Sequence, residues 1–436
     1  MEALFQLKQN THTQGKHALK NVLIIVIFIF PGILLQGQIT TDELGGADFN
    51  TIQTAVPFLT ITPDARAAGM GDLGAASTAD MSSQHWNVAK YAFADAKGGF
   101  AITHTPWLRN LIRDINMVYV SGYYRINQKN NVSSSFRFFS LGEIVFTNLH
   151  GIVLGEYHPF EFAVDAGYSR LFTDHLSAGM IFRFIYSDLT RDQTPASGAP
   201  TKPGTSAAGD LALYYQNDFP VGERTASWAL GMNISNIGTP LSYTEDAIKT
   251  PIPTNLRLGG KFGFDIDENH SISLMADVNK LMVPTPPVYK TDTATGEHIV
   301  VRGKEAPRSV MAGMFQSFYD APGVLREDGN YSVFMEEMHE IIYALGVEYN
   351  FHNMLAVRYG YFHEHATKGN REYFTTGICV RNHIFLLDVA YLFPVAGQNS
   401  PLANTFRVTF SVELGKNPDS PSHRRILCDV IHRYRN

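Results

Sequence analysis

From Ile341 to Phe362 the chain reads IIYALGVEYNFHNMLAVRYGYF, and bulky residues fall on every second position. Ile341, Tyr343, Leu345, Val347 and Tyr349 alternate with Ala344, Gly346 and Glu348. After a polar break between Asn350 and Asn353, Leu355, Val357, Tyr359 and Tyr361 alternate with Ala356, Arg358 and Gly360. A period of two sends successive side chains to opposite faces, so the stretch predicts a β-hairpin. One face is apolar and the other carries glycine, alanine and charge. The same period recurs from Lys97 to Leu414. Trp228, Leu230, Met232 and Ile234 oppose Ala229, Gly231, Asn233 and Ser235, and Phe406, Val408, Phe410, Val412 and Leu414 oppose Arg407, Thr409, Ser411 and Glu413. A soluble sandwich alternates too, so one hairpin does not settle the environment.

The connections do. About fourteen segments carry the pattern, near 97–105, 115–126, 131–141, 159–172, 175–189, 207–217, 224–237, 254–265, 270–281, 339–350, 353–363, 371–380, 383–393 and 402–414. Links after even-numbered segments are short and polar: NQKNN, TD, DFPVGE, DENH, FH and RN. Links after odd-numbered ones are longer, the longest running from Met282 to Met338. Sorting by parity is the habit of a transmembrane barrel, and a tilted strand of about ten residues crosses a bilayer. Lipid offers the backbone no partner, so such a sheet must close. The expected fold is all-β: a transmembrane antiparallel β-barrel of about 14 strands, bulky face toward outer-membrane lipid. The inward set is Glu161, Asp165, Arg183, Asp210, Arg257, Lys261, Asp277, Glu348, Arg358, Asp388 and Arg407. Such a lumen is either packed and salt-bridged or a polar conduit. Arginine at lipid-facing Phe410 or Leu230 is expected to cost more than at inward Thr409. The third segment breaks phase, with Phe136 and Phe138 on one face but Phe139 and Leu141 on the other, which predicts a bulge or kink.

The ends read differently. Lys16, His17 and Lys20 precede the apolar run VLIIVIFIF, so residues 1–37 read as a signal peptide. Residues 38–96 lack alternation; TPDARAAGMGDLGAAS is tightly turning chain, suited to folding back into the barrel (97–414) as a hatch or plug, or to lying as a periplasmic loop. Residues 415–436 form a basic tail with no assigned role. Composition supports the barrel: 12% aromatic residues and 36 glycines suit β structure, while a mean hydropathy of −0.09 does not suit a bundle of membrane helices. The net charge of −6 implies no nucleic-acid partner. Cys379 and Cys428 do not make a disulfide framework.

Candidate chemistry is sparse. His363 and His365 flank Glu364 and share a strand face, but no third metal ligand is signalled, so a polar rim contact is expected. GMGDLG does not join a strand to a helix, so it is no dinucleotide fingerprint. No serine has a base at a readable spacing, and neither enzyme activity nor a cofactor is expected. The long loop 282–338 carries Met311, Met314, Phe315, Phe318, Tyr319 and Phe334, which a freely solvated loop would not need. Together with His363, Glu364 and Tyr373 they are the candidate partner-binding residues.

TIQTAVPFLTITPDARAAGMGDLGAAST, INMVYVSGYYRI, FRFFSLGEI, LSYTEDAIKTPIPTNLRLG, GYFHEHATKGNREYF and SPLANTFRV resemble the PorV family, outer-membrane proteins of the type IX secretion system in Bacteroidota. The resemblance spans about Thr40 to Leu414. It implies a FadL-like fourteen-stranded barrel with an N-terminal hatch. It also implies a shuttle that receives cargo proteins by their C-terminal signal domains at the type IX translocon and delivers them to a surface attachment complex containing the PorU sortase. A FadL-like channel for hydrophobic small molecules is the alternative. Where FadL-like hatches carry Asn-Pro-Ala, this chain has Asn87, Val88 and Ala89.

Overall fold

The computed structural model describes residues 50–416 apart from 110, 111, 113, 148–152, 190–200, 245–248, 292–297, 308, 327 and 396–399. The expected signal peptide, the start of the hatch, Cys428 and most of the basic tail lie outside the described residues. Fourteen antiparallel strands close into one barrel, each bonded to its neighbours in chain order. They are β1 (Ala96–Pro106), β2 (Asn116–Arg125), β3 (Asn130–Ser140), β4 (Phe160–Leu171), β5 (Leu176–Asp188), β6 (Gly204–Val221) and β7 (Arg224–Gly238). The second half is β8 (Asn255–Asp265), β9 (His270–Leu281), β10 (Ile341–Phe351), β11 (Leu355–His363), β12 (Glu372–Asn382), β13 (Phe385–Pro394) and β14 (Phe406–Lys416). β1 closes on β14, from Ala96 opposite Lys416 to His104 opposite Val408.

All short turns fall at one end. DFPVGE is mostly strand, because Asp218 to Val221 pair with Ser227 to Arg224 and only Gly222 and Glu223 turn. Left-handed backbone at His352, Asn353 and His383 tightens two other turns at that end. The other end carries the long connections, up to the one between Leu281 and Ile341.

The outer wall is a continuous apolar surface on which aromatic rings meet across strands. Phe138 stacks on Phe160 at 5.8 Å, and Phe162 on Tyr186 at 5.2 Å. Such cross-strand pairs help fix register. β3 does not kink: its pairing with β2 and β4 is unbroken through Ser140. Phe139 is an inward residue in regular alternation, buried against Phe58, which corrects the expected phase break. The bulge lies instead between β6 and β7, where register shifts between Gly209 and Leu211 and Asn236 takes a positive φ of 59°.

Residues 50–95 fill the barrel. The segment starts at the long-loop end, where the Asn50 amide donates to Thr367 O (3.3 Å) and the Ala55 amide to Pro251 O (2.9 Å). It winds through 3-10 turns at Pro57–Thr60 and Val88–Phe93 and two one-turn helices, α1 (Ala65–Ala68) and α2 (Ser83–Trp86). It leaves at the short-turn end, where Arg125 donates to Ala94 O (2.9 Å) beside β1. The inward glycines make room for it. A Cβ on Gly360 would collide with the Met70–Gly71 backbone, and one on Gly231 with the Ala75 carbonyl. Asn87 keeps its turn without the following proline: its side chain accepts from the Ala89 amide (3.0 Å) and donates to Ala75 O (3.1 Å) and Leu213 O (2.9 Å).

Candidate functional site

Most inward charges of the barrel are ion-paired or hydrogen-bonded, to one another, to wall residues or to the segment that fills it. Arg183 forks onto Asp165 with two 2.8 Å bonds and onto Asp210 with two of 3.2 Å. Arg358 bridges Glu348 (2.6 Å) and Asp388 (2.5 Å), and Arg66 of α1 binds the same Glu348 (3.1 Å) and Asp80 (2.9 Å). Asp277 accepts the Gly74 and Ala75 amides at 2.7 and 2.9 Å. Arg257 donates to Asn279 (2.8 Å) and lies over the Trp86 ring at 4.5 Å. Arg407 stands 3.8 Å from Asp72, and Glu161 accepts from Ser187 at 2.7 Å. Lys261 is half-buried among the inward residues of β8. Buried ions left unpaired would be costly, so this network holds residues 50–95 in register with the wall.

The second concentration of charge is at the long-loop end. Between Leu281 and Ile341 the connection folds into a hairpin of Val288–Thr291 and His298–Arg302 and two further helices, α3 (Val310–Gln316) and α4 (Val333–His339). Ser332 caps α4 by accepting from the Met335 amide (3.3 Å). Lys280, at the top of β9, binds Glu337 (2.9 Å) and Glu340 (2.6 Å). Lys368, from the loop after β11, binds Glu336 (2.7 Å) and Glu340 (3.0 Å). Glu337 also accepts the Asp320 and Ala321 amides, and Glu336 accepts the Gly323 amide and the Asn50 side chain. Both lysines and all three glutamates are buried. This clasp ties the long loop to the barrel rim, to the neighbouring loop and to the start of the lumenal segment.

Beside the clasp, His339 and His365 stack face to face at 3.5 Å. Burial holds both imidazoles below their ordinary range, His365 at about 4, where the neighbouring His339 and His363 reinforce the shift. Burial also pushes the Asp320 carboxyl up to about 6.

The clasp holds an apolar surface outward. Phe315 is 65% exposed and Phe334 73%, with Met311, Phe318, Tyr319, Met335 and Met338 exposed around them. On α4 the glutamates face the barrel, whereas Phe334 and Met338, four residues apart, share the open side. Two candidates do not belong to this surface. Met314 is buried under α3, and Tyr373 points into the lumen, where it stacks on Phe362 at 4.6 Å and donates to Asp72. Glu364 is engaged by Arg371 (2.6 Å), and His363 lies 4.0 Å from Glu372. Among the described residues no group of three or more His, Cys, Asp or Glu side chains is arranged to hold a metal. Sequence reasoning missed Lys280, Lys368, Glu336, Glu337 and Glu340; MEEMHE inside an apolar loop was the available signal.

The model of the family described as "Type IX secretion system protein PorV" matches residues 45–288. The chain belongs to the PorV family. It is thus an outer-membrane component of type IX secretion, and its short turns all lie at one end of the barrel, the end that faces the periplasm in barrels of this kind. The PorV match ends within the long loop, so α3, α4 and β10 to β14 lie beyond it. No curated protein matches the chain. Solved structures similar to this PorV-family chain include the Ralstonia pickettii toluene transporter TbuX, with 11% identity, 82% of this chain and 99% of that one covered, and a TM-score of 0.39. The Pseudomonas putida toluene transporter TodX matches with 10% identity, 84% and 98% coverage and a TM-score of 0.43. A Pseudomonas aeruginosa FadL homologue matches with 11% identity, 84% and 100% coverage and a TM-score of 0.38.

Proposed function

We propose that the protein is a non-enzymatic shuttle of type IX secretion. It receives cargo by its C-terminal signal domain at the translocon and hands it to the surface attachment complex containing the PorU sortase. The observation that carries this reading is the apolar surface of α3 and α4, exposed on a loop that buried ion pairs clamp to the rim. A clamped loop offers a preformed face, so binding loses little conformational freedom. Exposed aromatic and methionine side chains supply an adaptable contact for a protein partner. Residues 50–95 act as a plug in this reading, since their bonds to the wall occupy the lumen that a small-molecule channel would need.

The test is a strain carrying Met311→Ser, Phe315→Ser and Phe334→Ser together, which leaves the lysines and glutamates of the clasp and the Phe318 ring beneath Lys280 in place. The barrel stays folded and heat-modifiable, surface proteins with C-terminal signal domains are retained in the periplasm, and they no longer co-purify with the barrel. Full secretion by the triple variant, with loss of uptake of a hydrophobic compound, would replace the shuttle by the channel.

A further inference from the structure

The barrel seam carries a groove that the secretion role does not use. It lies on the outer wall at the short-turn end, where β1 meets β2 and β14. Gly98 there stands opposite Tyr124 on one side and Leu414 on the other. Phe100 and Ile102, next along β1, are exposed to lipid, whereas Gly98 itself is buried beside the Tyr124 ring, which a Cβ there would approach to 3.3 Å. Along the row Tyr124, Gly98, Leu414 the surface therefore dips at the glycine between two exposed bulky side chains. The result is a groove of about 270 Å³ lined by Lys97, Gly98, Gly99, Phe100, Tyr124 and Leu414, among others. Its walls are almost wholly apolar. At its periplasmic rim the Lys97 ammonium stands 5.5 Å from the Tyr124 ring centre.

We propose that this groove binds one glycerophospholipid of the inner leaflet, with an acyl chain along Gly98 and the headgroup phosphate against Lys97. The position selects the ligand class. The groove opens to hydrocarbon rather than to the lumen, so its occupant is apolar. It ends at the short-turn interface beside a cation, which matches a phosphate and draws anionic headgroups most strongly. Tyr124 supports both halves, with its ring against the chain and its hydroxyl at headgroup level. Gly98 cannot be replaced to fill the space, because a Cβ would sit 2.8 Å from the Tyr123 carbonyl oxygen.

The experiment is native mass spectrometry of the full barrel, delipidated in detergent and then titrated with phosphatidylglycerol or phosphatidylethanolamine. The wild type should keep one lipid through activation, phosphatidylglycerol in preference. Lys97→Glu, an exposed strand-end change, should abolish the preference, and Tyr124→Ala should lose the bound lipid, while Phe262→Ala on the far wall behaves as wild type. Heat-modifiability confirms that each variant is folded. Equal lipid retention in all four proteins would reduce the groove to ordinary annular contact and overturn the proposal. In native membranes, a benzophenone side chain at position 100 should capture phospholipid. Capture of a protein band in its place would make the groove a protein interface and overturn it as well.

Discussion

At the scale of residues, alternation identified faces but could not show what lay behind them. Thr409 illustrates the gap. Its inward parity is plain in TFRVTFSVEL, and an empty lumen would accept a charge there. The structure fills that space: Thr409 accepts from the Ala65 amide at 2.9 Å and shares a 2.7 Å bond with Thr103. Thr409→Arg is therefore expected to displace α1, and to lower the heat-modification temperature at least as far as Leu230→Arg on the lipid face. The latter costs about 2–4 kcal/mol near the midplane. A milder loss at Thr409 would mean that the lumenal segment yields easily. Arg183 allows a sharper test. Arg183→Met leaves Asp165 and Asp210 buried against each other without a cation, an uncompensated state worth roughly 3–5 kcal/mol. The triple change with Asp165→Asn and Asp210→Asn removes the stranded charges and should recover much of that loss in urea unfolding. Mixed signs on the inward face were legible in the sequence. Which acid meets which base depends on strand stagger, which periodicity does not encode.

At the scale of elements, the strands were legible because each carries its own period and its own turn, whereas the long loop was not. Its helices are seven residues each, too short to stand without tertiary support. They persist because Lys280 and Lys368, from two other elements, reach the glutamates of α4 and the residue after it. Lys368→Ala should therefore leave the barrel intact and release the loop, seen as faster protease cleavage near Lys304. Protons act on the same element. His339 and His365 are held below their ordinary range by burial, with Lys368 acting on both, Glu336 on His339 and His363 on His365. Folded-state values below the unfolded one mean that the stability they contribute is present above about pH 6.5 and is lost as pH falls toward about 4. Asp320 opposes them. Its raised value penalises the docked loop once pH rises through about 6, and the penalty eases below that. Cleavage of the loop should thus speed up between pH 6.5 and 4.5, and His365→Phe, which keeps the stack without the proton, should flatten the profile. An unchanged profile would show that the imidazole pair does not bear on docking.

At the scale of the whole molecule, parity of the connections carries the most weight, because it assigns every loop to a side at once. The lumenal segment runs from Asn50 at the long-loop end to Asp95 at the short-turn end, so it meets the loop carrying α3 and α4 at Asn50, which bonds to Glu336 of α4. Orientation can be tested without reference to secretion. With Cys379 and Cys428 replaced, single cysteines at Lys290, Glu305, Lys129 and Asn269 all occupy exposed positions in the structure. Differences in labelling then report the side of the membrane and not burial. A membrane-impermeant maleimide on intact cells should label the cysteines at Lys290 and Glu305 and spare those at Lys129 and Asn269. All four should react once the outer membrane is permeabilised. Labelling of the Lys129 and Asn269 variants in intact cells would invert the barrel, place α3 and α4 in the periplasm, and remove the surface on which the shuttle reading rests. Labelling of all four in intact cells would point to a chain that does not span the membrane at all, which the apolar wall of exposed leucine and phenylalanine side chains argues against on energetic grounds.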